Sequence, residues 1–287
     1  MDSYVCAIAG GKGGVGRTTT AINLGTALEA HAYDVVVVDA DLGMSNVAAM
    51  TRIEPEETIH DVLAGNATVE EALVELDSGL TLLPGEWAIE AYGDADAANL
   101  KEVVETLREM YDVVLVDTSA GINHEKTVSV GLADGTILVT TASDVSLADT
   151  RKTAQLAERV GGNVLGTILT CVTSSAQVSD ARERLEHPLL GVVPEELSVS
   201  IEPLVVVDET SVAGEAYRAL AEAVVTIVFD GVDPDGIDLV FEPEWVDEAD
   251  EAEEDESDEE DDGTGDGDET GQDDDDEDDG GVLGLFN

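Results

Sequence analysis

Over residues 1–229, short runs of apolar residues alternate with longer stretches in which apolar positions recur every three or four residues. Residues 4–9, 35–39, 80–83, 113–117, 136–140, 164–170 and 189–193 are apolar almost throughout and rich in β-branched side chains. They are too short for helices, so they are expected as strands. Helices are expected at 18–30, 97–110, 146–160, about 177–185 and 212–228. In 97–110, Leu100, Val103, Val104, Leu107 and Met110 fall on one stripe. Strands apolar on both faces and separated by helices imply a parallel sheet covered on both sides. The fold class is therefore α/β: a single doubly wound, mostly parallel sheet with helices on both faces. The pattern shows no internal repeat, and the length suits one core.

Beyond Phe229 the pattern stops. Residues 230–246 scatter Ile237, Leu239, Val240, Phe241 and Trp245 among acids and prolines, and residues 247–281 are almost wholly Asp, Glu, Gly, Ser and Thr. Such a segment buries too little surface to offset its ordering entropy and is expected to be disordered. Residues 282–287 turn apolar again. The expected organisation is a body at 1–229, an acidic linker at 230–281 and a short apolar motif at 282–287.

Charge sharpens this division. The 287 residues hold 66 acids and 12 Lys+Arg, a net charge of −54. Residues 230–287 contain 29 of the acids and none of the bases, which leaves −25 on the body. Direct nucleic-acid binding through a broad basic face is excluded, because phosphate contacts need clustered Lys and Arg. Docking of a polybasic segment on anionic lipid is excluded too. Only Lys12, Lys101, Lys126 and Lys152 are lysines. Many acids with few lysines fit a cytoplasm at molar salt, as in halophilic archaea, where screening acts over about 3 Å. No apolar stretch is long enough to span a bilayer, and the N-terminus reads as strand and loop rather than a secretory signal. Cys6 and Cys171 form no CxxC pair, and His31, His60, His124 and His187 have no ligand spacing, so all read as structural or surface residues. Trp87 and Trp245 read as packing residues.

The candidate chemistry lies between the first strand and the first helix, in Gly10-Gly11-Lys12-Gly13-Gly14-Val15-Gly16-Arg17-Thr18-Thr19. A glycine-rich loop in this context lets successive N–H groups face phosphate oxygens, with the helix N-terminus behind them. Gly11, Lys12, Gly13, Gly14, Val15, Gly16, Arg17, Thr18 and Thr19 are the candidate nucleotide-binding residues, and the Thr18 hydroxyl suits Mg²⁺. The usual P-loop lysine is replaced by Arg17, which keeps the charge in a bulkier, planar form. Retained binding with slowed hydrolysis is expected. Asp39 and Asp41 follow one buried strand and Asp117 ends another, the positions from which carboxylates face a Mg²⁺–phosphate site.

Together these motifs resemble the deviant Walker A ATPases of the MinD/ParA family, and MinD-type proteins in particular. The loop resembles KGGxGKT, Asp39 to Asn46 resembles DxDxGxxN, and Asp117-Thr118-Ser119-Ala120-Gly121 resembles the Walker B and switch II segment, with Ser119 where proline is usual. The segment from Thr58 to Gly65 resembles the helix after switch I. The resemblance covers about residues 3–228 and implies a P-loop NTPase fold using ATP and Mg²⁺. It gives Lys12 a role across a homodimer, Asp41 the positioning of water, and Thr18, Asp39 and Asp117 the metal. Thr170 falls where the family places an adenine-reading Asn, and Pro194 and Glu195 fall beside the adenine. The function implied is an ATP-dependent positioning switch with slow hydrolysis, acting on a protein cargo or activator, in the cytoplasm or peripherally at a membrane or cell pole. The alternative is a nucleotide-binding interaction module with little turnover, since Arg17 replaces the lysine. A metal-cluster carrier of related fold would need paired cysteines, which this chain lacks. Residues 282–287 sit where MinD carries a membrane anchor. They are short and without basic residues, so membrane affinity would be weak; partner docking is the expected use.

Overall fold

The computed structural model describes residues 2–86, 99–201, 204–237, Phe241 and Pro243. Trp87, Trp245, the start of the expected 97–110 helix, most of the acidic linker and the motif at 282–287 lie outside the described residues.

The strands are β1 (Tyr4–Ala9), β2 (Val35–Ala40), β3 (Val74–Glu75), β4 (Thr81–Leu83), β5 (Val113–Thr118), β6 (Gly135–Thr141), β7 (Val164–Val172) and β8 (Leu189–Pro194). They form one sheet in the order β3-β4-β2-β5-β1-β6-β7-β8. All neighbours are parallel except β3 and β4. The helices are α1 (Arg17–Ala30), α2 (Val47–Thr51), α3 (Ile59–Ala64), α4 (Val69–Ala72), α5 (Leu100–Arg108), α6 (His124–Leu132), α7 (Asp144–Arg159), α8 (Ser175–Arg184), α9 (Leu197–Ile201) and α10 (Val212–Val228).

Alternate residues of the central strands feed opposite layers, as the strand period requires. Cys6, Ile8, Val35, Val37, Val113 and Leu115 pack toward α1 and α10. Val36, Val38, Val114 and Val116 pack on the other face, with Ile59 and Leu63 of α3 and Val103, Val104 and Leu107 of α5. Ala7, Ala9 and Leu138 meet Val130 of α6 and Ala154 and Ala157 of α7. Each fully buried Val or Leu contributes roughly 1.5–3 kcal/mol. All seven expected strands form, in the doubly wound arrangement.

The structure corrects several details. Met110 does not extend the α5 stripe: the helix ends at Arg108 and Met110 is 40% exposed. β7 runs on to Val172, so Cys171 stands within a strand. Ordered packing continues past Phe229, whose ring stacks on Tyr33 at 4.5 Å, and Ile237 and Phe241 rest against the core.

Topology places the site. After β1 the chain moves to β2 and β4 on one side, returns to fill the β5 slot, and then goes to β6, β7 and β8 on the other side. The C-terminal ends of β1, β2 and β5 therefore share one edge at the reversal of strand order, where α/β sheets bind ligands.

Candidate functional site

The loop leaving β1 enters α1 through Gly16, in the left-handed region at φ 87°, with Gly14 at 76°. No side chain caps α1, and its first turn holds no acid. Helices α4, α6, α7 and α10 are capped by Thr68, Asn123, Ser143 and Ser211, while α2, α5 and α8 share the lack of a side-chain cap; α1 alone of these follows the glycine loop. The α1 amides and their dipole are thus left for an anion. Gly11 is pressed against α7: a Cβ there would lie 2.3 Å from the Asp149 carbonyl carbon. A Cβ on Gly13 or Gly14 would meet nothing within 4 Å, so the loop's tip opens outward. Lys12 is exposed beside it.

Three carboxylates gather at the strand ends. Asp39 is fully buried and accepts from the amides of Asp41 at 3.3 Å, Asn46 at 3.1 Å and Val47 at 3.1 Å. Its oxygens are used on the loop between β2 and α2. Asp117 accepts from the Thr18 hydroxyl at 2.6 Å, while its Oδ1 is buried without a partner. Burial pushes both of these carboxyls well above the usual range, and their mutual repulsion adds to the rise at Asp39. Arg17 and the Thr18 hydroxyl pull Asp117 back down. Burial also raises Asp41, against the pull of Arg17.

Arg17 is 8% exposed. Its Nη2 meets Asp41 Oδ2 at 3.5 Å, and its Nε and Nη1 are buried without partners. Two orphaned guanidinium donors on the first residue of an uncapped helix suit phosphate oxygens. The orphaned Asp117 oxygen beside the Thr18 hydroxyl suits a divalent cation with oxygen ligands. These residues fit a Mg²⁺–nucleotide.

The loop between β2 and α2 is braced by residues whose role the sequence did not show. His60 is buried; its Nδ1 accepts from the Glu86 amide, so its Nε2 donates to Leu42 O at 2.9 Å. Gly85 lies where a Cβ would overlap Ser45 Oγ, so the strand-end turn needs glycine for close approach rather than for its backbone angles.

The neighbouring cleft holds about 470 Å³ and is lined by Gly16, Thr19, Met50, Cys171, Pro194 and Glu195, among others. Thr170 is 3% exposed, and its hydroxyl lies 2.8 Å from Val15 O and 3.0 Å from Thr140 O. Thr170 therefore ties the loop to the sheet, whereas Cys171 is exposed in the left-handed region at φ 55°.

One site residue was missed: Lys126 of α6 is fully buried, and its Nζ donates to Gly10 O. The available signal was Asn123, a helix-capping residue type three positions earlier.

Strand, glycine loop, uncapped helix and strand-end carboxylates define a P-loop nucleotide-binding protein. A family model for ParA, described as a NUBPL iron-transfer P-loop NTPase, matches residues 3–224. The chain belongs to this ParA/MinD family of P-loop NTPases. It is 32% identical over 230 residues to an uncharacterised ATP-binding protein of Methanocaldococcus jannaschii, covering 77% of this chain and 87% of that one. It is 33% identical over 234 residues to the septum site-determining protein MinD of Synechocystis, covering 76% and 87%. Among solved structures, MinD of Pyrococcus horikoshii complexed with Mg-ADP is similar at 31% identity and a TM-score of 0.75, covering 80% of this chain and 99% of that one.

Proposed function

We infer that the chain is an ATP- and Mg²⁺-dependent positioning switch of the MinD type. The carrying observation is the set of unsatisfied groups at the start of α1: uncapped amides, the free Nε and Nη1 of Arg17, and Asp117 Oδ1 beside Thr18. Mg²⁺, when bound, neutralises charge on the terminal phosphates. Thr18 and Asp117 would hold it, and Asp39 holds the loop between β2 and α2 through three amides. Asp41, at the same edge, is the residue to orient water. Arg17 already engages it, which favours slow turnover.

A homodimer formed over the loop face is supported by exposed Lys12, by the open space at Gly13 and Gly14, and by Met44, Ile122 and Val145. These apolar residues are 66%, 59% and 59% exposed, Met44 and Ile122 on loops and Val145 in the first turn of α7, at the same sheet edge. The second reading, a nucleotide-binding module with little hydrolysis, draws on the same Arg17–Asp41 pair. Membrane crossing finds no support among the described residues, where no helix is long and apolar enough.

The test is sedimentation with a slowly hydrolysed ATP analogue, with ADP, and without nucleotide. Dimer with the analogue alone is expected, and Lys12→Ala should bind nucleotide yet stay monomeric. A monomer under all conditions would reject the switch. ATP turnover in wild type equal to that of Arg17→Lys would reject the retarding role of Arg17.

A further inference from the structure

The loop carries a second buried cation that its own motif does not contain. Of the four lysines, Lys12 is exposed, Lys101 pairs with Glu105 and Lys152 with Asp149 at the surface, and only Lys126 is fully buried. It comes from α6, the helix that follows Asp117. Asn123 fixes the start of that helix: its Oδ1 accepts from the Lys126 amide at 2.8 Å and from the Ser119 hydroxyl at 2.9 Å. A side chain this near a helix start leans back past the first turn, and here it reaches the first glycine of the loop. Its hydrogen bond to Gly10 O spans 116 positions in sequence.

A buried ammonium is costly unless it is paired. Among the described residues Nζ makes this one hydrogen bond, to a neutral carbonyl, although an ammonium has three donors. Its charged surroundings are Arg17, Asp41 and Asp117, the groups that flank the phosphate site. Burial pushes the ammonium down to about 7 and Arg17 adds to this, while Asp41 and Asp117 pull it back up. An incoming anion would favour its charged form. The position of Arg17 bears on the same point. Its Nη2 is engaged by Asp41, and its planar fork does not occupy a lysine's position identically.

We propose that Lys126 is a phosphate-binding residue, donating from α6 to the terminal phosphate of ATP and thereby supplying the mobile ammonium that Arg17 has displaced from the loop. The inference rests on the ATP-switch reading and extends it: the helix after Asp117 senses whether the terminal phosphate is present. Departure of that phosphate returns Nζ to Gly10 O alone, so α6 and the loop separate the two nucleotide states.

Lys126→Gln tests this, because glutamine removes the charge while keeping an N–H donor on a side chain one bond shorter. A charge-assisted hydrogen bond to phosphate, worth about 1.5–3 kcal/mol, predicts a loss of roughly tenfold or more in affinity for Mg-ATPγS, with Mg-ADP affinity within about threefold of wild type. Lys126→Arg should recover part of the loss. Equal losses for both nucleotides with a lowered melting temperature would make Lys126 a structural strut and overturn the proposal. Should Lys126→Gln fail to fold, the wild-type chain still decides. With four lysines, the ¹⁵Nζ signals can be assigned using Lys12, Lys101 and Lys152 variants. The Lys126 signal should shift with Mg-ATPγS and much less with Mg-ADP, and identical signals would reject the contact. Failure of the wild-type chain to bind either nucleotide overturns the switch reading and this one with it. Wild-type binding of both, with an unchanged ratio in Lys126→Gln, overturns this one alone.

Discussion

At the phosphate end of the cleft, Arg17, Lys126, Asp39 and Asp117 are buried together, with unpartnered polar atoms on Arg17 and Asp117. At the other end, where the base is expected, the cleft presents buried Thr170 and Pro194 and exposed Cys171 and Glu195, and the Thr170 hydroxyl is already used on Val15 O and Thr140 O. One end stores desolvated charge that only a charged ligand can satisfy. The other offers shape and neutral surface. Affinity should therefore be concentrated at the phosphates, and discrimination between bases should be small.

The largest effect that could break this contrast is steric. Gly11→Ala would place a methyl 2.3 Å from the backbone of Asp149, which cannot rotate away. The loop or α7 must shift, at a cost of roughly 1–3 kcal/mol. Nucleotide binding should be lost along with a lower melting temperature. Gly13→Ala, with open space around it, should keep wild-type stability. A stable, binding-competent Gly11→Ala chain would mean that the loop is not held by α7.

Next in size is the metal. Asp117→Asn removes the charge whose Oδ1 is unpartnered while leaving an acceptor for the Thr18 hydroxyl. Mg²⁺-dependent nucleotide affinity should fall roughly 10–100-fold, by comparison with losses on altering metal-site shells. Titration calorimetry with and without Mg²⁺ measures this, and unchanged Mg²⁺ dependence would move the metal away from Asp117.

Charge burial at Lys126 also has a pH signature in the nucleotide-free chain. Its folded-state value, about 7, lies below the ordinary lysine value of 10.5. Between these values the unfolded chain holds a proton that the folded chain lacks, so folding is increasingly favoured as pH rises. The stability of wild type relative to Lys126→Gln should therefore climb from pH 7 to pH 9, by at most about 1.4 kcal/mol per unit. Taking the difference between the two chains removes the opposing contributions of Cys6 and Tyr217, whose buried groups are pushed up to about 12. A flat difference in urea melts would contradict the buried, charge-starved setting of Lys126.

The two ends were also unequally legible in the sequence. Asp39, Asp41 and Asp117 sit at strand ends, and Lys12, Arg17 and Thr18 in the loop and helix that follow β1; strands buried on both faces announce themselves as unbroken apolar runs. Lys126 does not, because its role depends on tertiary reach to Gly10. Its helix was hidden too: Thr127, Val128, Ser129, Val130 and Gly131 are weak helix formers, and they occupy more than half of α6. β3 is two residues long and pairs antiparallel at the sheet margin, too short for any period to show. Thr170 closes the expected strand at 164–170, but only the structure shows its hydroxyl turned to Val15 and Thr140. Met110 continued the apolar spacing past the point where α5 ends, since periodicity carries no stop signal of its own.

The smallest predicted effect sharpens the base end. Thr170→Val keeps the shape and removes one donor shared by two carbonyls, so stability should drop by about 1 kcal/mol. If Thr170 only anchors the loop, the preference for ATP over GTP in competition binding should be unchanged in this variant, within about a factor of two. A loss of preference several times larger would give Thr170 a part in reading the base. It would also mean that base recognition reaches through the loop anchor, since the hydroxyl that secures Val15 would then be shared between holding the phosphates' cradle and choosing what sits beside Pro194.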